Sequence, residues 1–174
     1  MPPHGSSTAG AELAPEVREA IWRALEEVYD PEIPNLSVVD LGIVRRVAAD
    51  ADGTPVVTIT PTYTGCPATQ VIALAVRAAL DRAGFRHARL ETALAPPWTT
   101  DWITERGRER LREAGIAPPL QSGGKERFGA PPEVPCPRCG SAETERIAEF
   151  GATACKALYR CRGCLEPFEY FKCL

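Results

Sequence analysis

Seven cysteines are the residues with which this chain could do metal or sulfur chemistry, and four of them form two Cys-x-x-Cys pairs. The pairs are Cys136 with Cys139 and Cys161 with Cys164. Two residues between cysteines let both sulfurs reach one ion, and two such pairs complete a tetrahedron. A module of roughly forty residues can hardly build its own core, so the metal should supply its folding energy. We predict a structural Zn²⁺ site, with rubredoxin-like iron as the alternative.

Cys66 lies where a strand pattern changes to a helix pattern. Val57 and Ile59 alternate with polar residues before it, and apolar residues recur at helical spacing over 68–80 after it. With Pro67 at the first helical position, Cys66 is the predicted N-cap, where free N–H groups and the helix dipole favour a thiolate. The position indicates metal binding or sulfur chemistry, although a lone cysteine more often packs as a small hydrophobe.

The histidines narrow the chemistry that Cys66 can do. His4 lies in the predicted tail, and a right-handed crossover puts His87 at the opposite end of the sheet from Cys66. This disfavours a cysteine–histidine hydrolase. Neither histidine has a glutamate three residues before it, as a di-iron helix needs, and the sequence contains no GxGxxG or GxxxxGK[ST] string. The chain is therefore not predicted to be a di-iron oxygenase, a nicotinamide-dependent reductase or an NTPase.

Two further cysteines, Cys155 and Cys173, lie outside the two pairs. Packing is the default interpretation for both, because the four-sulfur site is complete without them. They could instead replace a ligand cysteine or hold a second metal.

The composition is that of an ordinary soluble chain with 44% hydrophobic residues and a net charge of -3. No basic footprint indicates nucleic acid or an anionic membrane as a partner. The amino terminus lacks a basic flank leading into an apolar core, and the apolar runs are too short to span a bilayer. We expect a cytoplasmic protein, where Cys-x-x-Cys pairs indicate metal rather than disulfides.

The periodicity predicts a small α-β-β-α-β domain of the α/β (α+β) class. It has a short three-stranded mixed sheet with helices, and a separate carboxyl-terminal zinc ribbon follows. The first strand pattern runs over Val39, Leu41, Ile43 and Val47, and Ile103, Leu111 and Ile116 indicate a final helix. The predicted division is a disordered tail at 1–13, an α/β domain at 14–117, a linker at 118–134 and the ribbon at 135–174.

Several polar and aromatic residues are candidates for the surroundings of Cys66. Ligands gather at the carboxyl ends of parallel strands, so Asp101 and its neighbours Trp98, Thr99 and Trp102 should lie near this cysteine. Packing is the more expected role of the two tryptophans. The acidic residues that flank the first turn are expected to cap loops rather than to do chemistry; they are Asp30, Glu32 and Asp40.

Longer strings of the sequence resemble a known family. The α/β domain is similar to the metal–sulfur cluster assembly family, which includes SufT-like proteins, in DPEIPNLSVVDLGIV, TPTYTGCPATQ and PPWTTDWITERGRERLREAGIAPP. With CPRCGS, FGATACKALYRC and EPFEYFKC added, the chain resembles the PaaD family of the phenylacetyl-CoA ring epoxidase system. The resemblance implies that Cys66 is the reactive cysteine of cluster handling. It also implies that the shared loops hold Asp30, Asp40, Thr64 and Gly65.

The resemblance implies an accessory role in aerobic phenylacetate degradation, with no catalytic activity of its own expected. The chain would help to assemble or insert iron or iron–sulfur centres, with Cys66 as transient ligand or sulfur carrier and the oxygenase and reductase subunits as partners. A cluster held by one cysteine per chain would need ligands from another donor or from a second chain, as in a homodimer. The alternatives are a subunit that only bridges the oxygenase complex and, less favoured, a thiol enzyme acting on an acyl-CoA.

Overall fold

The computed structural model describes residues 12–33, 35–63, 68–120 and 132–172. The helices are α1 Pro15–Glu26, α2 Ala68–Arg82 and α3 Glu105–Glu113, and a 3₁₀ turn at Thr100–Trp102 precedes α3. The strands are β1 Val44–Ala49, β2 Pro55–Ile59, β3 Arg89–Thr92, β4 Ile116–Ala117, β5 Thr144–Ala148, β6 Lys156–Cys161 and β7 Pro167–Phe171. Each helix within these ranges is too short or too polar to cross a membrane.

The α/β domain contains the predicted three-stranded mixed sheet, in the order β1-β2-β3. β1 and β2 are antiparallel, and β2 and β3 are parallel neighbours joined through α2. One face of α2 is buried through Ile72, Val76 and Leu80, and these residues share a core with Val57 and Ile59 of β2. The apolar spacing that predicted this helix therefore marks the face that covers the sheet.

The first strand begins later than the alternating pattern indicated. β1 starts at Val44, whereas residues 38–42 form tight turns in which the Gly42 N–H donates to Val39 O at 2.9 Å. Gly42 has a φ of +67°, and a Cβ there would clash with the carbonyl oxygen of Trp102. The alternating apolar residues of this segment reach the core from a turn and not from a strand. The predicted strand at Val39 and Leu41 is therefore wrong.

The ribbon has a sheet of its own and is also joined to the α/β domain. The second sheet has the order β4-β7-β6-β5, and its edge strand β4 lies before the predicted linker and is parallel to β7. Ile116 therefore belongs to β4, not to the final helix as predicted. Phe171 and Cys155 belong to the core of the α/β domain, and the Phe171 ring lies 6.2 Å from that of Trp98.

Candidate metal centre and the cavity at the domain junction

The four paired cysteines of the ribbon come together at one end of its sheet. Their Sγ atoms all lie within 4.8 Å of one another. Cys136 and Cys164 are 3.8 Å apart and Cys139 and Cys161 are 3.5 Å apart, measured between sulfurs. The structure thus brings together two pairs that are well separated in the sequence.

Local backbone geometry turns both knuckles toward the shared centre. In the first, Gly140 has a φ of +74° and its N–H donates to Cys136 O at 2.9 Å. In the second, the N–H groups of Gly163 and Cys164 point at the sulfur of Cys161, at 3.3 and 3.4 Å. Such N–H groups stabilise a thiolate ligand and fix its direction.

The donor set fits a tetrahedral ion. Metal–sulfur bonds of about 2.3 Å give a tetrahedron whose sulfur–sulfur edges are about 3.8 Å, and the edges given above are close to this value. The electrostatics lead to the same conclusion. The sulfur of Cys161 accepts hydrogen bonds from backbone N–H groups, of which that of Cys164 has the largest effect, and these bonds lower the pKa of Cys161 to about 6. A backbone hydrogen bond with Glu166 lowers the pKa of Cys164, but burial and the neighbouring thiols raise it to about 12. Four sulfurs this close need a cation before all can ionise, so the cluster is a metal-binding group.

A buried carboxylate ties the first turn of the α/β domain to α3. Asp40 is 1% exposed, and its Oδ1 accepts hydrogen bonds from Thr104 Oγ1 at 2.9 Å and Arg106 Nε at 2.8 Å. Its backbone is equally close to the helix, because a Cβ on Gly107 would lie 2.8 Å from Asp40 O. This is a loop-fixing role of the kind that the sequence indicated for Asp40.

Replacing Asp40 should loosen this junction without unfolding the domain. We expect Asp40→Asn to lower the free energy of unfolding by about 2 kcal/mol, because the buried acceptor of the bonds from Thr104 and Arg106 loses its negative charge. The ion pair with Arg106 contributes little to this loss, since the Arg106 side chain is half-exposed. Urea denaturation followed by circular dichroism measures this loss. Glu109→Gln, on an exposed position of α3, is the control and should change stability by less than about 0.5 kcal/mol. A loss equally small for Asp40→Asn would contradict the role.

A small cavity lies where the ribbon meets the α/β domain. Its volume is about 20 Å³. Asp30 and Cys155 lie on its wall, and so do Pro61 and Thr62, just before the segment 64–67, and Ala68 and Thr69, just after it. Described residues on both sides of the segment 64–67 therefore line this cavity.

The other predicted site residues have the following positions. Thr64, Gly65, Cys66 and Cys173 lie outside the described residues, so the expected proximity of Asp101 and the tryptophans to Cys66 remains a prediction. Asp101 is exposed, and its N–H donates to Thr99 Oγ1 at 3.0 Å. The two tryptophans pack, as expected: Trp98 is buried and donates to Leu41 O at 2.9 Å, and Trp102 lies under Arg45. His87 is exposed and precedes β3.

Comparison with known proteins finds two different families along this chain. Residues 18–84 match the family described as iron–sulfur cluster assembly protein, and residues 121–172 match the family described as PaaD zinc beta ribbon domain. A domain of unknown function DUF59 from Bacillus anthracis, known from a crystal structure, has a TM-score of 0.50 at 28% identity, over 55% of this chain and 92% of that one. A cluster-assembly α/β domain that carries a zinc β-ribbon is thus the class that fold and site define.

Two curated relatives narrow the family. A protein of Escherichia coli (strain K12), provisionally named as one of the 1,2-phenylacetyl-CoA epoxidase subunits, is 51% identical over 164 residues, which are 94% of this chain and 98% of that protein. The Fe-S protein maturation auxiliary factor YitW of Bacillus subtilis (strain 168) is 38% identical over 49% of this chain and 83% of that protein. The chain belongs to the PaaD family of phenylacetyl-CoA epoxidase subunits, as the sequence motifs indicated.

Proposed function

We propose that this chain is an accessory protein of the phenylacetyl-CoA epoxidase system in aerobic phenylacetate degradation. It helps to assemble or insert iron or iron–sulfur centres, with Cys66 as the transient ligand or sulfur carrier. One observation carries the proposal. The residues on both sides of the Cys66 segment line the cavity that also has Asp30 and Cys155 on its wall. The similarity of the α/β domain to Fe-S protein maturation auxiliary factors supports the same role.

In this proposal the metal of the ribbon is structural, and the ribbon docks the client. We assign Zn²⁺ to Cys136, Cys139, Cys161 and Cys164, because four thiolates in a closed tetrahedron satisfy a structural site. Its exposed apolar side chains Phe150 and Leu165, at 64% and 72%, are available for docking a client. We place the protein in the cytoplasm, with the oxygenase and reductase subunits as clients. A second copy of the chain is one source of further ligands for a cluster held by Cys66.

The test is the metal content of the client. The epoxidase subunits are co-expressed with the wild-type chain, with Cys66→Ser, or with no such chain, and the purified oxygenase is assayed for iron by mass spectrometry. We expect its iron content to fall at least about fivefold in the last two cases, because serine replaces a soft thiolate ligand by a neutral hydroxyl. The amount of oxygenase protein should stay unchanged. Equal iron content in all three preparations would overturn the proposal.

A bridging role is the second candidate, because β4 pairs with β7 and Phe171 enters the core of the α/β domain, so that the ribbon and the α/β domain are packed together. Stable, stoichiometric co-purification with the active complex would favour bridging, and Cys66→Ser would then leave client iron unchanged. A thiol enzyme acting on an acyl-CoA ranks third. Incubation with phenylacetyl-CoA would trap an acyl-cysteine or release free thiol if that activity existed.

A further inference from the structure

The outer edge of β1 is not covered by another strand of the described chain. β1 lies at one end of the sheet order β1-β2-β3. The turn between β1 and β2 closes with the Asp50 N–H donating to Thr54 O at 3.0 Å, so these two residues form a hydrogen-bonded pair. Such pairs alternate with non-hydrogen-bonded pairs in an antiparallel ladder. The backbone groups of Ala48 therefore point at β2, and those of Val47 and Ala49 point away from it.

The outward backbone groups of β1 have no partner among the described residues. Val47 and Ala49 are each 7% exposed, because their side chains lie in the core. The N–H and C=O groups that they turn outward form no hydrogen bond with another described residue. Backbone polar groups near a core need a partner, and a row of them along a strand is what an added strand pairs with.

A cleft runs along this edge of the sheet. Its volume is about 260 Å³, and a single bound water would fill only a small part of it. The lining comes from β1 and from the chain around the start of α1, and it includes Glu12, Leu13, Arg18, Arg46, Val47 and Ala49. The outward groups of β1 therefore face a space that an extended peptide can enter.

The charged groups of the cleft favour an anionic partner. Arg18 and Arg46 are exposed, and neither forms an ion pair with another described residue. Glu12 is the carboxylate on the wall, so two cations face one anion and one positive charge is in excess. Asp50, the acidic residue that follows β1, is already paired with Arg89 of β3. Acidic side chains on an added strand would therefore meet cations that have no partner.

A second copy of the chain fits this edge less well than an acidic segment does. β1 has the sequence VRRVAA, with two arginines and no carboxylate. Two paired β1 strands would bring four arginines together, and like charges on paired strands are destabilising. Residues 1–11 of the chain contain no acidic residue either. The charge pattern therefore favours a partner of different sequence.

We propose that the outer edge of β1 docks an extended, acidic segment of a partner protein, which adds a fourth strand to the sheet. Main-chain hydrogen bonds with Val47 and Ala49 hold this segment, and its acidic side chains lie against Arg18 and Arg46. The proposal goes beyond the function proposed above and does not depend on Cys66. It gives the α/β domain a partner surface of its own, separate from the ribbon.

Two labelled peptides test this surface on the full-length chain. One consists of four Glu-Val repeats with blocked ends, and the other has lysine in place of each glutamate. Fluorescence anisotropy should show the glutamate peptide binding at least about tenfold more tightly than the lysine peptide. Arg18→Glu and Arg46→Glu, combined in one protein, should weaken binding of the glutamate peptide at least about tenfold. Arg86→Glu is the control, because it makes the same change at an exposed arginine before β3 and should alter binding less than about twofold.

Amide hydrogen exchange shows where the glutamate peptide lies. Its binding should slow exchange at the Val47 and Ala49 amides, which gain a partner, and leave the other edge strand, Arg89–Thr92, unchanged. Failure of the glutamate peptide to bind, protection at a different place, or an equal loss of binding in Arg86→Glu would overturn the proposal. Slow exchange at these two amides without peptide would overturn it as well, since the chain itself or a second copy would then occupy the edge.

Discussion

Cys161→Ser should remove the metal from the ribbon and unfold β5, β6 and β7. Cys161 is fully buried at the end of β6 and receives the two knuckle N–H bonds, whereas a serine hydroxyl there would stay protonated and bind a soft ion poorly. Structural zinc supplies about 10–16 kcal/mol of apparent binding free energy in small modules of this kind. The ribbon's own core cannot replace this amount, since it is a cluster of only a few buried side chains around Tyr159, Phe168 and Tyr170.

Metal content and amide hydrogen exchange measure the effect together. We expect the zinc per chain to fall at least about tenfold, and protection to be lost throughout the ribbon strands. Cys155→Ser is the matched control, because it makes the same atom change in the same unit but outside the four-sulfur group. It should keep the ribbon metal. A Cys161→Ser protein that retained both metal and protection would show that the four sulfurs do not form the site.

Local patterns made much of this fold predictable. The Cys-x-x-Cys spacing and the helical spacing of Ile72, Val76 and Leu80 are set within a few residues, so they can be interpreted without knowing the rest of the chain. The fold around Gly42 could not be predicted in this way. Gly42 adopts a left-handed conformation, and Trp102, from a distant part of the sequence, leaves no room for a side chain there. An alternating apolar pattern is the same whether its residues reach the core from a strand or from a turn.

The candidate cavity shows the same limit. The sequence favours packing for Cys155 because the four-sulfur site is complete without it. Asp30 and Cys155 line one cavity because the ribbon packs against the α/β domain. That packing depends on β4 pairing with β7 and on Phe171 reaching Trp98, and both contacts cross the linker. Such pairings leave no local signal, and Ile116 even matches the period of the preceding helix.

The contact between Phe171 and the α/β domain should decide whether the two parts unfold together. Side chains alternate along β7, so Phe168 and Tyr170 enter the ribbon's own core, whereas Phe171 enters the core of the α/β domain. Phe171 is 2% exposed. We expect Phe171→Ala to lower the free energy of unfolding by about 3–5 kcal/mol. The same change should release the ribbon from its partner domain, because it removes the ring that packs against Trp98.

Phe168→Ala provides the comparison that isolates this coupling. It deletes the same side chain three residues earlier in the same strand, where the ring lies 5.8 Å from that of Tyr159. Denaturation followed by tryptophan fluorescence and by hydrogen exchange should show Phe171→Ala loosening the peptides around Trp98 and β4 while the ribbon keeps its metal. Phe168→Ala should instead loosen β5 and β6 and leave the surroundings of Trp98 protected. If both variants loosened the same peptides, the ribbon and the α/β domain would form a single cooperative unit, and Phe171 would have no special part in joining them.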